Sequence, residues 1–145
     1  MKRLAILAVL ALFVVGGLAT QASAQQSVTL TTTMTGAAEV PGPGAPHGSG
    51  TAVITLKPTA GQICFFLQVS GITLPAIGAH IHVGPVGVAG PIVVPLTPPD
   101  ASGVSHGCVA VDRELIGAII HNPANYYVNV HTVEFPAGAI RGQLG

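Results

Sequence analysis

The chain has 145 residues, a formal net charge of zero, only 7% charged residues and no tryptophan. That length supports one domain with a modest core. So few charges form no basic patch, which makes nucleic acid a poor partner and leaves little field to steer a charged substrate.

The first residues read as a leader. Met1-Lys2-Arg3 is a short basic start, Leu4 to Leu18 is an apolar run, and Ala22-Ser23-Ala24 offers the small residues a signal peptidase reads. The expectation is a signal peptide over 1–24, cleaved before Gln25, and therefore an exported protein, periplasmic or extracellular. The run is short for a membrane span and no other is long enough, so no membrane span is expected in the mature chain. No cysteine lies near the cleavage point for a lipid anchor. In residues 25–145, Lys57, Arg113 and Arg141 face Glu39, Asp100, Asp112, Glu114 and Glu134, a net charge of about −2 with neutral histidines. The two cysteines, Cys64 and Cys108, have one obvious solution in an oxidising compartment, a single disulfide. As thiolate metal ligands they would match no zinc spacing.

Val28, Leu30, Thr32 and Met34 alternate with Ser27, Thr29, Thr31 and Thr33, the period-2 pattern of a strand. Pro41 to Gly50 is laden with glycine and proline and forbids regular structure. Thr51–Lys57 and Gln62–Ser70 alternate on either side of the turn Pro58-Thr59-Ala60-Gly61, which predicts a hairpin with Ile63, Phe65, Leu67 and Val69 on one face. A connection over 71–78 leads to Ala79-His80-Ile81-His82-Val83. A loop over 84–91 then precedes the short strand Ile92–Leu96, whose Pro95 suggests an edge. Val104–Val111 carries Cys108. One short helix is expected over 112–121, with Asp112 as cap, Val111 and Ile116 as hydrophobic staple, and Asn122-Pro123 as stop. Tyr126–Thr132 and Ala139–Leu144 close the chain as strands. Many short strands with Gly/Pro turns describe an all-β sandwich or barrel.

The chemistry concentrates in two of these strands. Side chains alternate faces along a strand, so His80 and His82 share one face, and Asn129 and His131 share one face with Tyr127. Imidazoles at i and i+2 can both reach a single ion, and a third from a neighbouring strand completes a three-nitrogen set suited to copper, with zinc second. His80, His82 and His131 are therefore the candidate metal ligands, on outward faces. Asn129 is a candidate to orient a ligand through a hydrogen bond. Arg141, also outward, would either hold an anion or tie loop carbonyls with its donor fork. His47 and His106 are read in Gly-rich loops and are weaker candidates to swing over the site. At the helix end, the dipole accounts for His121. Catalytic groupings are missing: Ser105-His106 has no partner carboxylate, and no nucleophile elbow, glycosidase acid pair, dinucleotide fingerprint or P-loop occurs.

In order along the chain, Glu39-Val40-Pro41, Gly50-Thr51-Ala52, Val69-Ser70-Gly71-Ile72, Ala79-His80-Ile81-His82-Val83-Gly84 and Gly90-Pro91-Ile92-Val93-Val94-Pro95-Leu96 resemble the CHRD domain, named after chordin. Tyr127-Val128-Asn129-Val130-His131-Thr132 and Phe135-Pro136-Ala137-Gly138-Ala139-Ile140-Arg141-Gly142-Gln143-Leu144 complete the pattern, from about Leu30 to Leu144. The resemblance implies a CHRD domain over 25–145 of the stand-alone exported bacterial type. Growth-factor antagonism, a property of a multidomain animal protein, is not carried over. The His-x-His strand, the later Val-x-Val-His strand and the final Gly-Ala-x-Arg-Gly strand also resemble copper–zinc superoxide dismutases. On that likeness His80, His82 and His131 match copper ligands and Arg141 an anion-guiding arginine. The bridging histidine and the His-rich zinc loop are absent. The expected fold is an immunoglobulin-like or superoxide-dismutase-like antiparallel β-sandwich or barrel. The expected function is an exported binding or structural module with copper on outward-facing histidines and a partner that is an unknown protein or small ligand. A copper redox enzyme and a metal-free envelope or extracellular interaction module are the alternatives.

Overall fold

Alternating apolar and polar residues become eight strands in the computed structural model, which describes residues 26–145. The predicted leader over 1–24 and its cleavage point before Gln25 lie outside the described residues. The strands are β1 (Val28–Thr35), β2 (Ser49–Lys57), β3 (Gln62–Ser70), β4 (Gly78–Val83), β5 (Ile92–Leu96), β6 (Val104–Ala110), β7 (Tyr126–His131) and β8 (Ile140–Gln143), with one helix, α1 (Arg113–His121), between β6 and β7. They form one antiparallel sheet in the order β5-β4-β7-β8-β1-β2-β3-β6.

The two edge strands are β5, where Pro95 removes a ladder donor, and β6. The segment between them ties the sheet's ends together. Ser105 Oγ donates to Thr97 O at 2.6 Å, Ala76 N to Pro99 O at 2.9 Å and Val69 N to Gly103 O at 2.9 Å. The sheet thereby curls into a nearly closed sandwich.

Its inner face is the core, with Met34, Ile54, Leu56, Ile63, Leu67, Ile81, Val128 and Ile140 fully buried. Each such side chain contributes about 1.5–3 kcal/mol relative to exposure. Helix α1 packs against β2 and β3 and adds Ile116 and Ile119 to the core. Asp112 caps it as expected, accepting from Glu114 N at 2.7 Å and Leu115 N at 3.4 Å.

The hairpin register of β2 and β3 matches the predicted turn at 58–61. Cys64 and Cys108 are direct cross-strand partners on the outer face of β3 and β6, and they form the expected disulfide, with Cα atoms 3.9 Å apart. A disulfide belongs to an oxidising compartment. Among the described residues no helix is long and apolar enough to cross a membrane.

Candidate metal centre

The central strands β4, β7 and β8 position the site by register. His80 pairs with Asn129, His82 with Tyr127, and Gly78 with His131. Across the next ladder Asn129 pairs with Arg141 and Tyr127 with Gln143. Because Ala79, Ile81, Val128, Val130 and Ile140 face the core, all of these polar side chains share the opposite face of the sheet.

That face does not look outward, which corrects one expectation. His82, Asn129 and Arg141 are buried, at 7%, 2% and 1% exposure, while His80 and His131 are half-buried. The cover is the loop over 84–91, folded back onto the strands. Arg141 Nη1 donates to Val88 O at 2.8 Å, and Nη2 donates to Pro85 O at 2.9 Å and Gln143 Oε1 at 3.2 Å. Gln143 Nε2 donates to Gly84 O and Ala124 O at 2.8 and 2.7 Å. At the loop's far end Gly90 N donates to Tyr127 Oη at 3.1 Å, and Gly90 sits so close to Val83 O that a Cβ would overlap it.

Tyr127 is the platform beneath the loop. The Arg141 guanidinium lies 3.4 Å from its ring centroid, and the His82 ring stacks on it at 4.8 Å between centroids and 10° between planes. The donor fork of Arg141 is thus spent on loop carbonyls and its cation on an aromatic face.

Above this platform the three predicted imidazoles come together. One ring nitrogen from each of His80, His82 and His131 lies within 4.8 Å of the other two, a grouping that could hold a metal ion. Backbone carbonyls fix two of the rings. His82 Nδ1–H donates to Gly90 O at 2.8 Å and His131 Nδ1–H to Pro136 O at 3.0 Å, which leaves both Nε2 atoms as lone-pair donors. His82 Nε2 is buried with no hydrogen-bond partner. His80 Nδ1 meets His131 Nε2 at 3.1 Å, and Asn129 Oδ1 lies 3.0 Å from that same Nε2.

Burial favours the neutral form of two of the rings. Burial, reinforced by His131 and then His82, pushes the pKa of His80 down to about 4. Burial also lowers that of His131, against the opposing pull of the Pro136 carbonyl. Neutral imidazole is the form that can ligate a metal ion.

The other histidines stay away. His47 is exposed in the loop before β2, and His106 is exposed on the edge strand β6 opposite Phe66. His121 bonds Gly117 O within its own helix at 2.7 Å. Sequence reasoning placed Tyr127 on the right face but gave it no role, and it gave none to Gln143. It also passed over Glu39, which leaves the end of β1 and is buried at 6% exposure. Burial raises the Glu39 carboxyl to about 7, although Arg141 and Asn129 beside it pull the other way. A carboxylate inside Ala37-Ala38-Glu39-Val40-Pro41, flanked only by apolar residues, was the available signal.

Fold and site together define a single antiparallel β-sandwich domain that carries a three-histidine cluster, His82 of which lies under the loop over 84–91. The chain belongs to the CHRD domain family, whose model matches residues 30–144. Neither the curated proteins nor the solved structures contain a match to the chain.

Proposed function

We propose that this protein is an exported CHRD-domain binding module, periplasmic or extracellular, that holds a copper ion through His80, His82 and His131. The observation that carries the reading is the convergence of three ring nitrogens within 4.8 Å, together with a buried His82 Nε2 that has no hydrogen-bond partner. An unsatisfied buried acceptor costs about 1–3 kcal/mol, and a metal ion would satisfy it.

Imidazole donors suit copper, with zinc second. Metal–donor bonds of about 2.0–2.2 Å set two donors about 2.8–3.1 Å apart at right angles and about 3.3–3.6 Å apart in a tetrahedron. The His80 Nδ1 to His131 Nε2 separation of 3.1 Å lies within the range for two adjacent donors on one copper ion. The disulfide supports an oxidising compartment.

A metal-free interaction module is favoured by one observation: His131 already bonds Pro136 O and meets His80. The two readings separate on copper retained after gel filtration of purified protein. The copper reading expects one ion per chain in the wild type and none in His80→Ala or His131→Ala. Equal retention in all three would sink it. Superoxide consumption by the copper-loaded protein above that of free buffer components would move the reading to a redox enzyme.

A further inference from the structure

His131 has more acceptors around it than protons to give. A neutral imidazole carries one N–H, yet an oxygen acceptor sits at each of its nitrogens, Pro136 O at 3.0 Å from Nδ1 and Asn129 Oδ1 at 3.0 Å from Nε2. With the proton on Nδ1, the Nε2 lone pair faces an amide oxygen. That contact is repulsive unless a cation lies between the two atoms or the amide is turned over.

The surroundings of Asn129 decide which. The buried carboxyl of Glu39 lies against the Asn129 side chain. The hydrogen bond from Asn129 favours the ionised form of that carboxyl, so the amide gives it an Nδ2–H, and Oδ1 is the end left turned toward His131. Glu39 is held in turn. Gly138 stands at φ +149° with its missing Cβ where the carboxyl packs, and the Arg141 guanidinium supplies the countercharge.

We infer that Asn129 Oδ1 is the fourth donor of the metal centre and that Glu39 is the positioning residue that points it there. This rests on the copper reading above. The separation agrees, since two donors at right angles about one ion lie about 2.8–3.1 Å apart and Oδ1 is 3.0 Å from His131 Nε2. Three nitrogens and one oxygen make a tetragonal N,O set of the kind copper(II) takes. Of the four donors, the amide is the one with two unlike ends, so it is the one that needs a neighbour to choose between them.

Copper(II) titration of the purified protein tests this, with Glu39→Gln made in two backgrounds. In the native background Glu39→Gln lets the amide turn over, and affinity falls about 10-fold, the usual cost of losing a group that orients a ligand. In the Asn129→Asp background the two carboxylate ends are equivalent, so the same Glu39→Gln change moves affinity less than about 3-fold. Pulsed EPR in deuterated water adds a second readout. Wild type and Asn129→Asp show no water bound in the equatorial plane, and Asn129→Ala acquires one.

Equal losses from Glu39→Gln in both backgrounds would make its role general and overturn the positioning claim, as would no loss in either. An equatorial water already present in the wild type would remove Asn129 as a donor. If the wild type binds copper and needs all three histidines while Glu39→Gln and Asn129→Ala change nothing, only this inference fails. If the wild type binds no copper, the metal centre falls with it.

Discussion

His80 and His131, 51 residues apart in the chain, meet nitrogen to nitrogen at 3.1 Å across neighbouring strands. The sheet order makes the meeting possible, since β7 is inserted beside β4 although two strands and a helix intervene in sequence. Bringing these rings together and partly burying them has a cost in acid, and the sign can be worked out. The pKa of His80 falls from 6.5 to about 4 on folding. The unfolded chain therefore takes up a proton that the folded chain refuses, and stability is lost as pH falls from 6.5 towards 4. Glu39 acts the other way, rising from 4.5 to about 7, so its contribution is present below 4.5 and lost as pH rises through 7. Between pH 4.5 and 6.5 the two oppose each other. Because His131 is lowered as well, the test is the change from wild type: in thermal melts of metal-free protein across this range, the slope of stability against pH should become more negative in His80→Gln and more positive in Glu39→Gln. Parallel curves for the two variants would contradict the assignment.

Arg141 should prove to be the residue that keeps the cover in place. It is buried at 1% exposure and gives two hydrogen bonds to loop carbonyls beside its stack on Tyr127. Arg141→Ala is expected to cost about 3 kcal/mol in urea unfolding and to speed amide exchange across 84–91. Arg141→Lys should rescue little, because a single ammonium cannot reproduce the fork. A lysine variant as stable as wild type would show that charge alone suffices there.

The disulfide closes a separation of 44 residues between β3 and the edge strand β6. Reduction should lower stability by about 4 kcal/mol, chiefly by freeing the unfolded chain. Because the cysteines lie on β3 and β6 while the histidines lie on β4 and β7, copper affinity of the reduced protein should match that of the oxidised form under conditions where both are folded. Linked loss of copper and disulfide would mean the two ends of the sheet are coupled.

At Gly138, φ is +149° and a Cβ would overlap the Glu39 carboxyl. Gly138→Ala should therefore destabilise by about 2 kcal/mol or more from strain and overlap together. Adding Glu39→Ala to it should recover the overlap part, measurable as non-additivity in a double-mutant cycle. Strict additivity would place the whole effect in the backbone.

How much of this was legible in sequence follows from the period of a strand. Alternation put His80, His82, Asn129, His131 and Arg141 on one kind of face and Ala79, Ile81, Val128 and Val130 on the other, and the structure keeps that division. Asp112 and Asn122-Pro123 marked α1 for the same reason that caps and stops are local chemistry. Parity says which face a side chain takes, however, and nothing about what lies over it. The cover depends on long-range bonds such as Arg141 to Pro85 and Gln143 to Gly84, 56 and 59 residues apart, which no local pattern announces. Glu39 was hidden differently. It lies past the end of β1, beyond a three-residue 3-10 turn, where strand parity no longer applies.

Calorimetric titration of copper(II) into chelator-stripped protein at pH 7 tests the central claim most directly, with His82→Ala as the decisive variant. His82 Nε2 is the buried atom that the metal-free reading leaves without a partner. The account predicts one copper per chain in the wild type and a loss of at least about 100-fold in affinity for His82→Ala, with similar losses for His80→Ala and His131→Ala. Binding of equal strength in folded His82→Ala protein, or no saturable site in the wild type, would contradict it.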